Sequence, residues 1–134
     1  MNSVVSLIRS PALADTPYAY AATAPAGTRF VFLAGSCPLE ADGTTAHPGD
    51  YARQAESCVD NLRTALDAAG AQLTDVISTR VLVASSRQQD LVDAWDVIHA
   101  AFEDHDVPST LLGVTVLGYD DQLVEIEAIA AVRD

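Results

Sequence analysis

From Asp50 to Ala69 the apolar residues Tyr51, Ala55, Cys58, Val59, Leu62, Leu66 and Ala69 recur at the spacing of one helical face. Arg53, Glu56, Asp60, Arg63 and Asp67 fall elsewhere on the same helix. Asp50 can accept hydrogen bonds from the first-turn amides, and Gly70 stands where a left-handed residue would end the helix. A helix with one apolar stripe must bury it, and the runs on either side have the period of strands. The chain therefore has to lay helices against a sheet. A second stripe, Leu91, Trp95, Ile98 and Phe102, predicts a second helix. Ser85 and Ser86 precede it, with Gln88 and Gln89 at capping-box spacing.

The strands follow from alternation and turn residues. Ser3–Arg9 and Tyr18–Ala22 read as the first two. Arg29–Leu33 reads as a buried strand running toward Gly35, and Pro25-Ala26-Gly27 before it signals a turn that could pair the second and third strands as a hairpin. Glu40–Gly49 is a loop. In Val76–Ala84, Ile77, Thr79, Val81 and Val83 share one face, and Ser78, Arg80 and Leu82 the other. After the acidic loop Glu103–Asp106 and Pro108 comes Leu111–Leu117. The turn Gly118–Asp121 leads to Leu123–Val132, with Val124, Ile126, Ala128 and Ala130 facing one way and Glu125, Glu127 and Ile129 the other. The expected order is β-β-β-α-β-α-β-β, a single α+β domain over residues 1–134 with a mixed sheet and two helices on one face. Two helices cover only one side of such a sheet. The other side carries apolar residues too, which predicts a homo-oligomer.

Charge removes several classes of partner. The formal net charge is −12, with seven Arg, no Lys and nineteen Asp plus Glu. Nucleic acids and anionic membranes require basic surfaces, so neither is an expected partner. No apolar run approaches the roughly 18–20 residues of a bilayer span. Met1–Arg9 lacks a basic leader, so the expected location is cytoplasmic. Cys37 and Cys58 form no Cys-x-x-Cys pair and read as reduced thiols. His47, His99 and His105 lie on separate segments without ligand spacing, so neither metal nor cofactor is expected. A small neutral or polar ligand in a local pocket remains compatible with this composition.

Few residues carry chemistry by themselves. Cys37 ends a buried strand, and without a cation beside it packing is its default role. Trp95 sits on an apolar helical stripe and defaults to the core. Glu125 and Glu127 share one face of the apolar closing strand. Solvent exposure is the default for both, and the strand pattern alone does not separate them.

Pro17-Tyr18-Ala19-Tyr20-Ala21, Phe32-Leu33-Ala34-Gly35-Ser36-Cys37-Pro38-Leu39, Gln54, Asn61-Leu62, Leu66–Gly70, Asp75-Val76, Phe102, Pro108 and Val124–Ala130 together resemble the RidA/YjgF family over essentially the whole chain. The resemblance implies a chorismate-mutase-like α+β fold. It also implies a homotrimer with sheets facing inward and small-molecule clefts between subunits. Well-studied members hydrolyse enamines and imines derived from amino acids. In them an Arg after Pro-Ala holds the substrate carboxylate, and the closing-strand Glu positions or activates water. A Tyr near the N-terminus and the Ser-Gly strand end complete the pocket.

Carried over by position, Glu125 is the candidate catalytic residue, and it is this resemblance that sets it apart from Glu127. Tyr18, Gly35, Ser36, Cys37, Trp95, Thr110, Leu111 and Leu112 are candidate substrate contacts. The chain departs from the pattern at Ser109-Thr110-Leu111-Leu112, where Thr110 takes the arginine's place. A guanidinium grips a carboxylate with two charged hydrogen bonds, whereas Thr offers one neutral donor. Losing such a charged bond costs about 1.5–3 kcal/mol. The expectation is a divergent enzyme acting on a less charged imine, enamine or related intermediate, by hydrolysis, tautomerisation or cyclisation. The alternative is a non-catalytic small-molecule binder. Ribonuclease activity is the weakest reading at this charge.

Overall fold

The computed structural model describes residues 3–134, so the expectation that Met1 and Asn2 belong to no leader lies outside it. Among the described residues six strands and two α-helices follow in the order β1 (Ser6–Ile8), β2 (Ala21–Thr23), β3 (Arg29–Phe32), α1 (Tyr51–Ala68), β4 (Val76–Ala84), α2 (Gln88–Ala101), β5 (Ser109–Val114) and β6 (Val124–Val132), with a single 3-10 turn at Leu73–Asp75 before β4. The element order is the expected one. The main sheet has strand order β3-β6-β4-β5, with β6 antiparallel to both neighbours and β4 parallel to β5. α2 makes the crossover between the parallel pair. α1 carries the chain from β3 to β4 past the position that β6 later fills.

Both helices pack on one face of this sheet, on β6 and on β4 and β5. Between the layers lie Leu62, Leu66, Val76, Val81, Val83, Val124 and Ile126, all fully buried. Each such side chain contributes about 1.5–3 kcal/mol of burial. In β6 the burial alternates as far as Ala130: Val124, Ile126, Ala128 and Ala130 are buried, and Glu125, Glu127 and Ile129 are half-buried on the opposite face. α1 begins where its sequence says, with the Asp50 carboxylate accepting the Arg53 amide at 3.0 Å, and Gly70 takes a φ of +77° beyond its end.

Buried Gln54 ties the loops together. Its side chain donates to the carbonyls of His47 and Asp121 and accepts the Leu123 amide at 2.7 Å. That last bond holds Leu123, the residue just before β6 and two before Glu125.

β1 is shorter than the expected Ser3–Arg9, β2 lies later than the expected Tyr18–Ala22, and β5 starts and ends earlier than the expected Leu111–Leu117. Four further details differ from the sequence pattern. β2 pairs with β1 rather than with β3, forming a separate two-stranded sheet. The Pro25–Gly27 turn instead delivers the chain to the edge of the main sheet, where β3 pairs only with β6. β3 is not buried. Only Val31 faces the core, while Phe30 and Phe32 project from the helix-free face at 53% and 76% exposure. The β4 register shifts between Val76 and Ser78, so Val76, not Ile77, completes the core face. The start of α2 uses no capping box. The Ser85 hydroxyl accepts the Arg87 amide and donates to Asp90, leaving Gln88 and Gln89 exposed.

Candidate functional site

The helix-free face of the sheet carries a cluster of polar groups near the start of β6. Phe32 is opposite Ile129, and Ser36 bridges Ile126, so four steps along this segment match three along β6. The extra residue makes a bulge, and Gly35 lies within it against Glu125. A Cβ built on Gly35 would collide with Glu125 Oε2 and stand 2.7 Å from its carboxyl carbon. Only glycine leaves room for the carboxylate in this position.

The other carboxylate oxygen is occupied. Cys37 Sγ lies 3.3 Å from Glu125 Oε1, and Gln122 Nε2 donates to the same oxygen at 3.1 Å. Gln122 is buried. It is held by the Tyr119 amide, which donates to its Oε1 at 3.1 Å, and it also donates to the Val124 carbonyl. Asn61 on α1 donates to the carbonyls of Cys37 and Leu39, fixing the segment that brings the thiol forward. Burial, then the hydrogen bond and charge of Glu125, push the Cys37 thiol from its ordinary 9.0 up to about 11. The sulfur is a neutral donor here, not a nucleophile.

Next to this cluster is a shallow recess of about 180 Å³ lined by Leu33, Gly35, Ser78, Arg80, Glu127 and Ile129, among others. Arg80 lies opposite Glu127, and their side chains approach to 3.4 Å. Arg80 is also the in-register partner of Thr110 on β5. A guanidinium thus stands one strand away from the position where the sequence lacks one, paired with a carboxylate of its own sheet.

The structure gathers some of the candidate residues and disperses others. Glu125, Gly35 and Cys37 touch. Thr110 and Leu112 share their sheet face, in register with Arg80 and Leu82, and Leu82 in turn pairs with Glu125. Leu111 pairs with Val81 and packs against the core beneath the helices. Ser36 is buried, its hydroxyl donating to the Cys58 carbonyl at 2.6 Å, so it anchors α1. Trp95 packs on the helical side and stacks on His99 with ring centroids 5.7 Å apart. Tyr18 lies near Asp106. Its carbonyl accepts from Arg9 and Thr16, and its ring meets Tyr20 edge-on. Within one chain, then, Ser36, Leu111, Trp95 and Tyr18 make their contacts away from the Glu125 cluster.

Nothing in the sequence pattern singles out Gln122. It sits beside a turn with no period, and only its burial reveals it. The described residues hold no group of three or more potential metal ligands and no helix long and apolar enough to cross a membrane.

The same architecture recurs in solved structures. The Rid family protein YyfB from Yersinia pestis superposes with a TM-score of 0.89 at 26% identity, over 96% of this chain and 99% of that one. The YjgF gene product of E. coli gives 0.67 at 25% identity, covering 99% of this chain and 100% of the other. A RutC family protein of Pyrococcus abyssi is 30% identical over 101 residues, 75% of this chain and 77% of its own length. The family model described as endoribonuclease L-PSP matches residues 10–132. With that model spanning nearly the whole sequence, the chain belongs to the endoribonuclease L-PSP family, which includes the RidA/YjgF proteins.

Proposed function

We propose that this protein is an acid/base enzyme acting on a small imine, enamine or related intermediate, with Glu125 as the group that moves the proton. The reading rests on one observation above all: Glu125 projects a carboxylate from the uncovered sheet face with one oxygen held by uncharged donors and the other over Gly35. Such a group can take a proton from water and return it to a leaving nitrogen. The cleft is completed by neighbouring copies in a homotrimer, which would bring Tyr18 and Trp95 of one protomer toward the Glu125 of another. This assembly is consistent with the apolar residues left uncovered on that face.

Hydrolysis of the C=N bond would run by addition of water to carbon, proton transfer through Glu125, and expulsion of ammonia. Substrate choice follows from Thr110. An uncharged hydroxyl replaces the cationic grip, and the guanidinium beside it is engaged by Glu127. The favoured substrates are accordingly larger or less anionic than simple 2-imino acids. RNA cleavage, which the family's descriptive name evokes, is disfavoured by the charge of −12.

The test is turnover of a panel of imines generated in place. Simple amino-acid imines should react little above background and a bulkier, neutral imine well above it. Glu125→Gln should lower kcat by about a hundredfold or more. Undiminished turnover in that variant would remove the proposal. Rapid turnover of simple imino acids would instead make Arg80 the carboxylate grip, and Arg80→Gln should then abolish it. The same Thr110 substitution also supports a non-catalytic binder. Retention of a metabolite by the purified protein, with no imine consumed, would establish that alternative.

A further inference from the structure

We infer that Cys37 and Gln122 are positioning residues, which together fix the rotamer of Glu125 so that Oε1 is tied down and Oε2 alone is presented for proton transfer. The inference rests on the acid/base reading above, and it adds two residues whose roles the family motifs do not supply. Three observations carry it. Two donors from different segments meet at one oxygen, Cys37 Sγ at 3.3 Å and Gln122 Nε2 at 3.1 Å. Each donor is itself held: Gln122 by its bonds with Tyr119 and Val124, and the Cys37 backbone by Asn61. Finally, the free oxygen lies above the one residue, Gly35, without a side chain to collide with it.

A carboxylate on a strand rotates freely between several staggered positions when nothing holds it. Two hydrogen bonds to one oxygen remove that freedom before substrate arrives, which is the condition for efficient proton transfer. The arrangement also assigns the sulfur a role. Its elevated titration keeps the proton on Cys37 at neutral pH, so the thiol can donate and cannot repel the carboxylate.

Two measurements test this. The first needs no substrate. With cysteine labelled at Cβ by carbon-13, the Cys37 resonance reports its own titration, regardless of whether a neighbouring copy covers it. The parent should titrate near 11. Glu125→Gln removes the carboxylate charge that opposes the thiolate, and the midpoint should fall by about one unit, tenfold in thiolate. An unchanged midpoint would show that sulfur and carboxylate do not meet, and the inference would fail.

The second is kinetic. Cys37→Ser keeps a donor and should hold kcat within about twofold, while Cys37→Val and Gln122→Leu should lower it about tenfold with KM little changed. A purely structural role would raise KM along with the loss of kcat, and equal rates for Ser and Val at position 37 would overturn the inference. If the parent consumes no imine, the functional reading falls, and the carbon-13 titration alone decides whether the contact exists.

Discussion

Glu125 owes its place to the pleat of β6 and its orientation to two contacts from outside that strand. Alternation in the closing strand puts it on the face away from the helices, and the structure agrees. Alternation says nothing about which oxygen is held, because Gln122 and Cys37 reach it from a turn and from the segment after a bulge, neither of which has a period. Ser36 shows the opposite outcome. The bulge that frees Gly35 turns the next residue inward, so a hydroxyl that looks available in the sequence is bonded to α1. A prediction at this scale concerns Gly35. Gly35→Ala would drive a methyl into the end of a flexible side chain rather than into backbone. Glu125 can swing aside, so a thermal melt should barely change. The displaced carboxylate should lower kcat by roughly tenfold to a hundredfold. A fully active Gly35→Ala enzyme would show that Oε2 needs no fixed place.

Elements were legible where a repeating face was long. α1, β4 and β6 fall within a residue or so of their expected bounds because each buries a periodic stripe. Short segments were less legible. β1 and β2 have three residues each, too few to specify a partner, and they pair with one another instead of extending the main sheet. Gln54 explains why the middle of the fold holds its register. It lies inside α1, fully buried, and its amide joins the His47 loop, the Asp121 turn and the first residues leading into β6. Gln54→Leu would keep the volume and orphan the Leu123 amide together with two carbonyls. An unsatisfied buried group costs about 1–3 kcal/mol. Since the carbonyls can recruit water, the expected loss is about 3 kcal/mol in a urea melt. A loss below about 1 kcal/mol would mean the loops hold β6 without it.

At the scale of the whole molecule, the sheet has one finished face and one unfinished face. The sequence revealed the imbalance, since two helices cannot cover both sides. It did not reveal that β3 is largely exposed, because an almost entirely apolar run reads as buried whichever surface buries it. Phe30 and Phe32 alternate with Val31, so their side chains leave the same face that carries Glu125, Arg80 and Thr110. Covering that face with further copies would remove two phenylalanines from water, worth about 1.5–3 kcal/mol each when fully buried. It would also enclose the carboxylate in a cleft. Assembly and activity should therefore be lost together. Phe32→Asp places a charge where the apolar contact would form, and a buried unpaired charge is strongly unfavourable. Sedimentation should find the parent at three times 14.1 kDa and this variant at the single-chain mass, with an intact circular-dichroism spectrum and no turnover. A Phe32→Asp protein that stays trimeric would place the contact elsewhere on the surface. One that becomes monomeric yet keeps its rate would show that Glu125 works without a neighbour, and the inter-subunit cleft would then have no part in the chemistry.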